Sequence, residues 1–149
     1  IAHELEATGH DCVAVEPLQA TADAYHQSRE GEGKPGLRVI VDDATDDQVL
    51  LAAGLAHAAG VFAVTGDDSK NVLIVLSAKQ LNPKVRVVAR VHEVANVAKC
   101  RRAGADEIVS PDFSGALRLA GAMLQPQATG FIDELLHADW QAAHASRRI

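Results

Sequence analysis

The chain has 149 residues, 48% of them hydrophobic and 23% charged, which suffices for one domain with a buried core. Its formal charge of −6 argues against a nucleic-acid partner, because neutralising phosphates takes Lys and Arg in excess. No apolar run approaches the ~20 residues of a membrane helix, no signal peptide opens the sequence, and the two cysteines, Cys12 and Cys100, make neither a metal set nor a disulfide framework.

Residues Ile1 to Thr8 read as the end of a helix, with Gly9 at its C-cap. The first residue falls inside that helical pattern, so the sequence reads as a piece of something longer. A short apolar strand, Cys12 to Val15, ends at Glu16-Pro17, and a polar helix from Leu18 to about Arg29 leads into the turn-rich loop Gly31 to Gly36. The strand Val39 to Val41 precedes a helix from Asp46 to about Ala53, closed by Gly54. The strand Val61 to Val64 precedes the most apolar helix, Asn71 to Leu81, with Asp67 or Asp68 as its cap and Asn82-Pro83 as its stop. The strand Val85 to Ala89, a helix from Val94 to about Ala103 stopped by Gly104, and the strand Glu107 to Val109 follow. Ser110-Pro111-Asp112 then starts a helix over Phe113 to Leu124. Phe131 to Trp140 shows a further amphipathic pattern before a basic tail.

Strands and helices alternate with short connections, which predicts a Rossmann-like, doubly wound parallel sheet with helices on both faces. Ligands of such sheets bind outside the carboxyl ends of the strands. Glu16 ends one strand, where an acid hydrogen-bonds ribose hydroxyls and disfavours a 2′-phosphate. The alternative is a plain solvated acid before Pro17. Asp43, Ala44 and Thr45 end the next strand. Small Ala44 allows an adenine ring close approach, and Asp43 can accept from its amine, whereas a capping box from Thr45 to Gln48 explains Thr45 without a ligand. Thr65 supplies a hydroxyl at the next strand end, beside Gly66, and Arg90 supplies a cation for a phosphate or a surface ion pair. Asp67 and Asp68 would repel a phosphate and read as caps. The seven histidines show no metal-ligand spacing, and among them His92 alone lies near this edge. No nucleophile motif and no catalytic constellation are present. The acids Asp42, Asp43, Asp46 and Asp47 read as helix caps rather than a metal site.

Several blocks together resemble the RCK domain (regulator of potassium conductance), also called the potassium-uptake nucleotide-binding domain. They are His3-Glu4-Leu5 with Gly9-His10-Asp11, Val41 to Asp46, Leu51-Ala52-Ala53-Gly54, Thr65-Gly66-Asp67-Asp68 and Asn71-Val72-Leu73. Leu81-Asn82-Pro83, Val88-Ala89-Arg90 and Arg102 to Pro111 complete the set, and the last block is the most discriminating. The resemblance implies a Rossmann-like lobe over residues 1–125 and a crossover, dimerising helix with its tail over 126–149. It implies a regulator on the cytoplasmic face of the cell membrane, coupling NAD(H) or an adenine nucleotide (ATP or ADP) to potassium flux. The partners it implies are a homodimer or larger ring through the C-terminal helix, and a channel or transporter pore. By position Glu16 takes ribose, Asp43, Ala44 and Thr45 take adenine, and Thr65 and Arg90 take the ribose or phosphate side.

Two departures stand out. Asp42 occupies a position that is usually Gly in the family, which adds an acid near the nucleotide. The glycine-rich loop and first strand do not occur in this sequence, so the isolated 149-residue piece is expected to be poorly stable and to bind nucleotide weakly. An NAD-dependent oxidoreductase cofactor lobe is the enzyme alternative, and an oligomerising scaffold with a vestigial pocket is the third.

Overall fold

In a computed structural model of the chain, residues 1–31 and 36–124 are described. The elements are α1 (Ala2–Ala7), β1 (Val13–Glu16), α2 (Gln19–Gly31), β2 (Arg38–Val41), α3 (Asp47–Ala52), a 3-10 turn (Leu55–His57), β3 (Gly60–Ala63), α4 (Asp68–Leu81), β4 (Arg86–Arg90), α5 (Val94–Ala103), β5 (Glu107–Val109) and α6 (Pro111–Leu124). The fold is the Rossmann-like α/β type that the alternation predicts. The chain divides into two compact units, Ile1–Val109 and Ser110–Ile149. Helix α6 belongs to the second, and the amphipathic segment 131–140 lies outside the described residues.

Every strand pairing is parallel. The strands form two sheets, β1-β2 and β3-β4-β5, rather than the one sheet expected from the sequence. A doubly wound sheet orders its strands 3-2-1-4-5-6. The two observed sheets correspond to the two flanks of that order, and among the described residues β1 and β3 do not pair with each other.

The core sits on the larger sheet. In β4 and its flanks Val85, Val87, Ala89 and Val91 alternate onto one face and are completely buried. Against them pack Ile74, Val75 and Ala78 of α4 and Cys100 of α5, with Leu50 and Leu55 closing the cluster. Burying a Val or Ile side chain contributes about 1.5–3 kcal/mol, so this layer anchors the unit. On the opposite face Phe62 remains 44% exposed.

Helix boundaries follow identifiable chemistry. Asp67 caps α4 by accepting from Ser69 and Lys70 N–H, so the helix starts three residues before the apolar pattern does. Asp46, not Thr45, caps α3, accepting from Gln48 N–H at 2.7 Å. The capping-box reading of Thr45 is corrected accordingly: Thr45 is held by Asp43 instead. Gly54, at φ +97°, separates α3 from the 3-10 turn, which the sequence did not signal. That turn seats Leu55 in the core, and Asn82 donates to its Leu55 carbonyl at 2.9 Å. Gly104, at φ +111°, ends α5 where expected.

Candidate functional site

Thr65 and Arg90 are brought together at the carboxyl ends of β3 and β4. Arg90 Nη2 donates to the Thr65 carbonyl at 2.9 Å. The device that joins them is Asn71, fully buried on α4. Its Oδ1 accepts from Thr65 N–H at 2.8 Å and from the Thr65 hydroxyl at 2.7 Å. Its Nδ2 donates to the Thr65 carbonyl at 3.2 Å and to the Arg90 carbonyl at 2.9 Å. One amide thus ties two strand ends to one helix. The Thr65 hydroxyl is also within 3.0 Å of the Asp67 carbonyl, so protein groups already surround it. Arg90 Nε is buried and finds no hydrogen-bond partner among the described residues, which is unusual for a guanidinium N–H.

The β2 end is built differently. Asp43 Oδ1 accepts from Thr45 N–H at 2.9 Å and from the Thr45 hydroxyl at 2.8 Å, closing a tight Asx turn. Asp43 Oδ2 meets Lys70 Nζ of α4 at 3.0 Å. The Thr45 N–H first, then the Lys70 bond and the Thr45 hydroxyl, lower the Asp43 carboxyl to about 2. The acid expected to receive adenine is therefore ionised and already holds three donors, and Ala44 lies partly buried beside it. Glu16 ends β1; its Oε1 accepts from Leu18 N–H at 3.1 Å, and its carbonyl accepts from Asp42 N–H. The structure thus places Glu16 with the β1-β2 sheet and Thr65 with Arg90 on the other, and the Asp43–Lys70 pair spans the two.

Asp68, buried at the start of α4, accepts from His92 N–H at 2.8 Å, Glu93 N–H at 3.0 Å and Asn96 Nδ2 at 3.0 Å. It ties the turn that leads into α5 to the start of α4. Burial pushes its carboxyl up, but the Asn96, Glu93 and His92 hydrogen bonds outweigh that and hold it below the ordinary range. At the amino end of β4, Asp106 accepts from Val87 N–H at 2.6 Å and pairs with Lys79 at 2.8 Å, while Lys79 also reaches the Val85 carbonyl at 2.7 Å. The Lys79 bond, then the Val87 N–H, depress Asp106. The Ala-Gly-Ala-Asp block is thus a clamp on β4, at the opposite end from the candidate site.

Sequence reasoning gave no role to Asn71, Lys70 or Asp106. Asn71 had a signal: positions 68, 71, 74, 75 and 78 share the buried stripe of α4, so a polar residue there must be satisfied. Lys70 had none, because its partner lies 27 positions away in the chain.

The model of the TrkA-N domain matches residues 1–111. The chain belongs to the TrkA-N family. Potassium channel protein 1 of Methanocaldococcus jannaschii is 38% identical over 105 residues, covering 70% of this chain and 32% of the relative. The crystal structure of the TrkA-N domain of the inner membrane protein ybaL from Escherichia coli aligns at a TM-score of 0.70 and 23% identity, covering 83% of this chain and 85% of that one. The GsuK channel bound to NAD aligns at a TM-score of 0.58 and 27% identity, covering 72% and 18%. GsuK is also solved bound to ADP, at a TM-score of 0.65 and 24% identity, covering 83% and 29%. This TrkA-N chain spans only 14, 32 and 28% of the length of three of its curated relatives. No helix among its described residues is long and apolar enough to cross a membrane.

Proposed function

We propose that this TrkA-N domain is a nucleotide-binding regulator of a potassium channel or transporter, acting at the cytoplasmic face of the membrane and not as an enzyme. Binding of NAD(H) or an adenine nucleotide at the carboxyl edge of its strands shifts the potassium pathway between states by favouring one of them. The observation that carries this reading is the preset Thr65–Arg90 pair at the strand edge where such folds take ligands. Support also comes from the likeness to a potassium channel protein and to a channel solved with NAD.

Arg90 is assigned to a phosphate or ribose oxygen, with Thr65 beside it. Glu16 is assigned to ribose, since Oε2 of its carboxylate is the oxygen not turned to Leu18. Asp43, Ala44 and Thr45 are assigned to the adenine side, with the Asp43 lone pair left by its three donors as the acceptor. NAD would supply no chemistry here beyond its binding energy. The lobe of residues 1–125 and a dimerising segment over 126–149 complete the assembly, as a homodimer or ring on the pore.

The test is calorimetric titration of the full-length protein with NAD, NADH, ATP and ADP. Tight binding of one of them, weakened at least tenfold by Glu16→Ala or Arg90→Ala, is the expected result. A folded protein that binds none of the four refutes the reading.

A further inference from the structure

The carboxyl edge of this domain is rich in acids. Asp42, Asp43, Asp46 and Asp47 follow β2, and Asp67 precedes α4; all but the partly buried Asp43 are exposed. Such an edge repels polyphosphates. Two cations stand in it. The guanidinium of Arg90 is turned to the Thr65 carbonyl, and the ammonium of Lys70 is drawn to Asp43 Oδ2 at 3.0 Å. The side chains of Lys70 and Asp43 are 44% and 47% exposed, a setting in which an ion pair adds little to stability. Its charge nevertheless acts on any anion within a Debye length, about 8–10 Å at ordinary salt.

We propose that Lys70 determines the ligand-charge preference of this edge, its ammonium offsetting the surrounding carboxylates so that nucleotides carrying more phosphate charge are retained. The inference rests on the nucleotide-binding reading above and adds to it the residue that sets the choice among nucleotides. Removing the ammonium makes the edge one charge more negative without touching Arg90 or Glu16. The penalty therefore scales with the charge of the ligand: smallest for adenosine, which meets only the release of Asp43, rising through AMP and ADP, and largest for ATP. A residue that merely shaped the pocket would weaken all four alike.

The experiment is calorimetric titration of full-length wild type, Lys70→Met and Lys70→Arg with adenosine, AMP, ADP and ATP, at low and at high salt. Lys70→Gln replaces the Met variant should that variant not fold. In Lys70→Met, ATP affinity is expected to fall about threefold to tenfold more than adenosine affinity at low salt, with the difference shrinking at high salt. Lys70→Arg keeps the wild-type ladder. A uniform loss across the four ligands, no loss, or an Arg variant that behaves like Met overturns the role of Lys70 while leaving nucleotide binding intact. Wild type that binds none of the four overturns the underlying reading, and the role of Lys70 with it.

Discussion

Replacing Asn71 by Leu removes four hydrogen bonds from a fully buried position and puts a bulkier side chain of the same heavy-atom count in its place. Two of the groups it serves are the Thr65 N–H and the Arg90 carbonyl, both backbone groups at strand ends. A buried polar group left without its partner costs about 1–3 kcal/mol. The Thr65 carbonyl keeps its bond from Arg90 Nη2, so it is not counted. Two stranded groups cost about 2–6 kcal/mol and overpacking by Leu adds about 1–3, while burying an apolar side chain returns about 1.5–3, for a net loss of about 2–5 kcal/mol. For a unit of this size that lowers Tm by roughly 10–20 °C. Leu73→Ala, two residues along the same helix, is the control, since Leu73 is 51% exposed and surface changes stay within about 0.5 kcal/mol. Urea titration and a thermal melt of the full-length protein, monitored by circular dichroism, read both variants. Equal stability of the two would refute the assignment of Asn71 as the tie between β3 and β4.

Gly104→Ala is expected to destabilise by about 1–3 kcal/mol, because φ is +111° and the new Cβ would lie 2.9 Å from Lys79 Cγ. In a Lys79→Ala background the steric part disappears while the backbone strain remains, so the glycine substitution costs less there; equal cost in both backgrounds, measured by urea titration, would show that Lys79 does not crowd the site. Asp43, Asp68 and Asp106 all have folded carboxyls below their ordinary value of 3.8, Asp43 at about 2. Protons thus bind the unfolded chain more readily, and the stability these groups contribute is complete above pH ~4 and lost as pH falls through each folded value, about 2 for Asp43. Lys79→Met removes the first cause of the Asp106 depression, so the stability gap between wild type and variant should narrow through that window. A gap that stays constant from pH 6 to pH ~2 would contradict the linkage.

The alternation of short β-branched runs with helices was sufficient to read the elements in order, because each strand is bounded by glycine, proline or a capping acid. Helix α5 appears with the bounds its pattern implies, stopped by Gly104. The start of α4 was read late, since Asp68 is polar and yet buried, and periodicity of apolar residues misses it. The site was half legible. Strand ends are visible as places where apolar runs stop, which located Thr65 and Arg90. What those ends touch is not visible, because Lys70 meets Asp43 and Asp68 meets Asn96 across gaps of 27 and 28 positions. The Ala-Gly-Ala-Asp block carries the resemblance without marking the site: Gly104 and Asp106 both meet Lys79 at the amino end of β4.

The Asn71 amide has a mechanical consequence. Within β3-β4-β5 any relative movement must shear a ladder of backbone hydrogen bonds, and the Asn71 amide stiffens its carboxyl end further. Thr65, Arg90 and the first turn of α4 therefore move as one piece, so a force applied at either strand end is passed on to the helix.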